Sequence, residues 1–118
     1  SEIEREEQLT QFETQLEDRF GPLPSQANRL IRSMKLKWLG KMLGFEKIVL
    51  KRQKLIGYFT TNQESGYYES ATFNHMLEFV KRHPTACELK QRNEKLTLVF
   101  SSIQGVKQAI EQLEAIAD

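Results

Sequence analysis

Leu9, Phe12, Leu16 and Phe20 recur at spacings of three, four and four, which is one apolar stripe along a helix. The pattern predicts a helix over residues 3–20. Gly21 and Pro22 end it, because glycine adopts the left-handed cap conformation and proline cannot continue the turn. Pro24 and Ser25 open a second predicted helix, about residues 24–43, since a proline in the first turn forfeits no hydrogen bond. Ala27, Leu30, Ile31, Met34, Trp38, Leu39 and Met42 form its predicted buried face, and Gly44 is its stop. The short connection makes these two helices an αα-hairpin or an L-shaped pair.

From Phe45 the period changes. FEKIVLKR and LIGYFTT are rich in β-branched and aromatic residues, with Arg52 to Lys54 able to turn between them. Asn62 to Glu69 reads as a polar loop. Ser70 or Thr72 can cap a third helix with Phe73, Met76, Leu77 and Val80 on one face, ended by Pro84. A second hairpin follows, CELKQR and KLTLVFS around Asn93-Glu94. Leu96, Leu98 and Phe100 alternate there with Thr97, Val99 and Ser101, as in a half-buried strand. Ser101 and Gln104 match a capping box for the last helix, which carries Ile103, Val106, Ile110, Leu113 and Ile116 inward.

The predicted order is α-α-β-β-α-β-β-α, an α+β fold. Two N-terminal helices precede two β-hairpin–helix units, with antiparallel pairing in each hairpin and helices packed on the sheet. The 118 residues fit one domain, 1–118, divided into a helical pair (1–43) and a β-β-α-β-β-α portion (45–117).

Composition adds limits. The net charge of +1 gives no global field toward nucleic acid or an acidic partner. The lone cysteine, Cys87, cannot form an internal disulfide and fits a reducing, cytoplasmic setting. The acidic, polar N-terminus does not read as a signal peptide, and no apolar run has the length of a membrane span. The expected partners therefore exclude a membrane, and the domain is expected to be a monomer.

Catalytic motifs are missing. No phosphate-binding glycine loop and no nucleophile elbow occurs, and the six glycines stand singly. His75 and His83 lie eight residues apart with no cysteine or carboxylate spaced to complete a zinc site. His75 reads as an exposed helix residue and His83 as a helix-end residue. Cys87, beside Glu88, lacks the positive surroundings of a reactive thiol and reads as a small buried residue. The expectation is a domain that is not an enzyme and holds no cofactor or metal. The adjacent Tyr67 and Tyr68 suggest either a contact surface or one packed and one exposed ring.

The main charge feature is Arg29 to Lys54, nine bases against the single acid Glu46. On the second helix it offers Arg29, Arg32, Lys35, Lys37 and Lys41 as possible nucleic-acid contacts. The alternative is a solvated helix face. Trp38 falls on the apolar side, so it reads as core and not as a stacking platform.

The stretch LEDRFGPLP, residues 16–24, followed by ANRLIRSMKLKWLGKMLGFEKI, resembles the C-terminal domain of bacterial transcription-repair coupling factors. The similarity runs through nearly the whole chain, by order of elements more than by residues in its later part. The resemblance implies a parent that is a multidomain, DNA-translocating ATPase, with ATP and magnesium in its motor and none in this domain. That parent displaces stalled RNA polymerase and recruits the repair protein UvrA. It further implies a regulatory role: the domain packs on the parent's UvrB-like N-terminal module and masks the UvrA-binding surface. Gln15, Asp18 and Arg19 are the interdomain contacts that the resemblance implies, with Gln15 standing where it implies an acid, which this sequence lacks. The competing reading of Asp18 and Arg19 is a local helix-end ion pair worth about 0.3 kcal/mol.

Overall fold

The computed structural model describes residues 6–118. Four helices and four strands follow in the predicted order: α1 (Glu6–Phe20), α2 (Ser25–Met42), β1 (Phe45–Lys51), β2 (Lys54–Phe59), α3 (Ala71–Arg82), β3 (Cys87–Arg92), β4 (Lys95–Phe100) and α4 (Val106–Ala117). Residues 3–5 of the first predicted helix lie outside the described residues.

The strands form one fully antiparallel sheet in the order β1-β2-β4-β3. Each hairpin turns through two residues. Arg52 and Gln53 both take positive φ, 51° and 61°, the geometry that matches the twist of paired strands. The β2–β4 pair joins the hairpins, setting Leu55 opposite Phe100 and Tyr58 opposite Thr97.

Strand periodicity gives the sheet two unlike faces. Leu55 and Phe59 of β2, Leu98 and Phe100 of β4 and Cys87 of β3 point into one core with Leu36, Leu39 and Leu43 of α2, Phe73, Met76 and Phe79 of α3 and Ile110, Leu113 and Ile116 of α4. Between them, Lys54, Ile56, Tyr58, Lys90, Arg92, Lys95, Thr97 and Val99 line a shallow concavity on the opposite face. Val99, predicted to face solvent, is buried all the same. It lies on a central strand, paired with Ile56 on one side and Glu88 on the other.

The buried face of α2 also departs from expectation. Leu30 and Met42 are exposed, while Leu36 and Gly40 are buried. The helix serves two sets of neighbours, α1 on one side and β1 with α4 on the other, so no single straight stripe describes it. At Gly40 the approach to β1 is so close that a Cβ would lie 2.0 Å from Ile48 Cδ1.

Ser70 caps α3, its Oγ accepting from the Phe73 amide at 3.1 Å. The predicted capping box at Ser101 does not form, and α4 starts at Val106. The segment before it runs elsewhere: Ser102 has φ 60°, and the amide of buried Ile103 donates to the Gln53 carbonyl at 2.9 Å. This ties the first hairpin turn to the start of α4. Gln108 Oε1 instead accepts at 2.7 Å from the amide of Gln104, the residue before the Gly105 N-cap.

Candidate interdomain surface

α1 rests mainly on α2. Leu9 is buried and Leu16 half-buried, but the stripe fails toward its C-terminal end, where Phe20 is 73% exposed. The ring belongs to the last residue of α1, before the four-residue connection to α2. Gln15, Asp18 and Arg19 are all exposed. At 3.6 residues per turn they share an arc about 100° wide, with Arg19 nearest the apolar stripe and Asp18 farthest from it. Among the described residues, Asp18 and Arg19 make no ion pair with each other or with any neighbour. The local helix-end pair is therefore not formed.

The turn holds this helix end in place. Gly21 takes φ 78° and its amide donates to the Glu17 carbonyl at 2.8 Å, closing the helix with a left-handed cap that a side chain would strain. Pro24 is the N-cap of α2 with φ −65° and ψ 159°. Its carbonyl accepts from the Asn28 amide at 3.1 Å, and the Asn28 side chain donates to the Leu23 carbonyl at 3.4 Å. Two prolines and three hydrogen bonds thus fix where the charged helix end points.

The five α2 bases are not gathered on one face. Their helical phases put Arg29, Arg32, Lys35, Lys37 and Lys41 around an arc of about 240°. Lys35 is half-buried and pairs with Glu114 of α4 at 3.5 Å. Trp38 packs partly buried against the main core.

The remaining reactive side chains have structural partners. His75 places Nε2 2.7 Å from the Ile116 carbonyl, so an exposed helix residue joins α3 to the end of α4. His83 closes α3, with Nδ1 2.9 Å from the Phe79 carbonyl and its ring stacked on Phe79 at 4.1 Å. The Cys87 thiol is buried, and that burial pushes its pKa up. Neither tyrosine is exposed. The Tyr67 hydroxyl donates to the Leu43 carbonyl at 2.6 Å and the Tyr68 hydroxyl to that of Thr60. Among the described residues no group of three His, Cys, Asp or Glu side chains is placed to hold a metal. No helix among them is long and apolar enough to cross a membrane.

Sequence periodicity put Phe20 in the core; its exposure could be read only from the four-residue connection that follows it.

These features define an α+β domain whose charged helix end is fixed in place and, among the described residues, left without ion-pair partners. Comparison with protein families matches the chain to the TRCF domain over residues 1–70. The chain belongs to that family, the TRCF domain of transcription-repair coupling factors. The match spans α1, the fixed turn, α2 and the first hairpin and ends at the Ser70 cap; residues 71–118 lie outside it. No curated protein matches the chain.

Proposed function

We propose that this is a non-catalytic, autoinhibitory domain of a transcription-repair coupling factor. It packs on the UvrB-like N-terminal module of its own parent and covers the surface that UvrA would use. It thereby restrains the DNA-translocating ATPase until stalled RNA polymerase is engaged. ATP and magnesium act in the parent's motor, and this domain works in the cytoplasm without a cofactor of its own.

The observation that carries this reading is the charge of Asp18 and Arg19, unpaired among the described residues, on a fixed helix end that also bears the exposed Phe20 ring. A masking contact must hold and then release. Contacts between domains of one chain are modest in area and fairly polar, and charges at such a rim give specificity more than affinity. Phe20 adds an aromatic anchor of the kind that dominates small interfaces. The Gly-Pro-Leu-Pro turn limits the entropy lost on docking, because the helix end needs no ordering.

Asp18→Arg combined with Arg19→Glu tests the assignment. The double variant should keep the far-UV spectrum and Tm of the parent domain, since neither side chain has an ion-pair partner among the described residues, and should lose affinity for the UvrB-like module. Undiminished binding would overturn the site.

A further inference from the structure

The sheet face turned away from the helices carries a charge pattern that the fold does not require. Alternation along the strands puts Lys47, Lys51, Lys54, Lys90, Arg92 and Lys95 on it, with the acids Glu88 and Glu94. Six bases less two acids give +4 on one face of a chain whose net charge is +1, which leaves −3 for the rest.

Two cross-strand pairs are like-charged: Lys51 lies opposite Lys54, and Arg92 opposite Lys95. Like charges directly opposite destabilise a sheet. Among the described residues only Lys90 of the six has a carboxylate partner, Glu88 at 3.4 Å. The two like-charged pairs stand at opposite ends of the face, six residues or about 20 Å apart along the strands. Between them run an apolar row, Val49, Ile56 and Val99, and the ring of Tyr58 with Lys47 Nζ 5.4 Å from its centroid.

We propose that this open face binds single-stranded nucleic acid. Cations at both ends and along the edges meet the phosphates, and Tyr58 with half-buried Val49 and Ile56 meets unstacked bases. This pairing of a basic track with an aromatic and apolar floor is how sequence-tolerant single-strand sites work. A duplex would use the cations alone, because its bases stay stacked inside. An acidic protein segment would satisfy the charges, but its carboxylates would leave the Tyr58 ring and the apolar row without a flat partner. The length of the track fits about four nucleotides, the low end for such platforms. The site is separate from Asp18 and Arg19 and does not rest on their role. It also differs from a site on α2, whose bases are dispersed.

The test is fluorescence anisotropy of this 118-residue chain with labelled oligo(dT), against a duplex of equal length, from about 20 to 200 mM salt. Binding should favour the single strand. The logarithm of the binding constant should fall with the logarithm of salt with a slope of about −2 to −3, for three or four neutralised phosphates at about −0.7 each. Lys54→Glu with Lys95→Glu should weaken binding at least about tenfold, as expected from reversing charge on two phosphate contacts. The same double variant should keep or raise Tm at low salt, because it relieves both like-charged pairs. Tyr58→Thr should weaken binding several-fold with the salt slope unchanged. Arg29→Glu with Arg32→Glu should leave binding unchanged. The proposal is overturned by absence of saturable binding at the lowest salt, by equal affinity for duplex, by equal affinity for an acidic polypeptide such as polyglutamate, or by loss of binding in the α2 variant alone.

Discussion

The Tyr67 hydroxyl lies 2.6 Å from the carbonyl oxygen of Leu43, the residue that closes α2. One hydrogen bond thus fastens the end of the helical hairpin to the short turn that leads into α3. Burial, and to a lesser degree the neighbouring Tyr68, pushes the Tyr67 pKa up to about 12. Tyr67→Phe should cost about 1 kcal/mol, the ordinary net worth of one such bond, measured by urea denaturation at pH 7.

The same residue predicts an alkaline limit. Its folded pKa stands above the unfolded value, so its contribution is complete below about pH 10. It is lost as the pH climbs toward about 12. Denaturation midpoints should therefore fall over that window in the parent domain and fall less in Tyr67→Phe. Identical pH profiles for the two proteins would contradict the assignment.

Ser70 and Ser101 look alike as helix caps in the sequence, and the structure separates them. Ser70 accepts from the Phe73 amide, whereas α4 begins at Val106 with no side-chain cap. Ser70→Ala should lose about 1 kcal/mol. Ser101→Ala should stay within about 0.5 kcal/mol of the parent. Equal losses at the two positions would mean that the last helix starts earlier than Val106.

Gly40 and Ile48 are coupled through contact. A methyl group at Gly40 would fall 2.0 Å from Ile48 Cδ1 and 2.9 Å from Cγ1. Overpacking costs about 1–3 kcal/mol, and the better helix propensity of alanine returns up to about 1 kcal/mol. Gly40→Ala should therefore be neutral to destabilising alone. In an Ile48→Val background, which removes Cδ1, it should become neutral or stabilising. The same shift in both backgrounds would show that the two sites do not touch, since independent sites add.

Local signals account for what the sequence revealed. The spacing of Leu9, Phe12 and Leu16, the alternation of Leu96, Leu98 and Phe100, and the Gly-Pro and Asn-Glu turns are set by neighbours in the chain, and they give the element order and the hairpins. Tertiary contacts decide the rest. Phe20 has the right spacing for a core residue but no helix beside it. Leu30 and Met42 lie on a stripe that α2 does not keep along its whole length. Ser101 has the right partner for a capping box, yet Ile103 is drawn to the Gln53 carbonyl and the core. The basic sheet face is assembled from residues 47–54 and 88–95, brought together only by the β2–β4 pairing. Asp18 and Arg19 were legible as solvent-facing. That they have no ion-pair partner among the described residues is visible only in the fold.

In the proposed function, this domain covers the UvrA-binding surface of its own parent. The most direct measurement is a calorimetric titration of the domain against the separate UvrB-like module, followed by UvrA as competitor. The domain should be raised to about 1 mM, the effective concentration that a short flexible tether supplies. Saturable binding is expected, displaced by UvrA and removed by Asp18→Arg with Arg19→Glu. A ternary complex of module, UvrA and domain, or no heat of binding at that concentration, would contradict it.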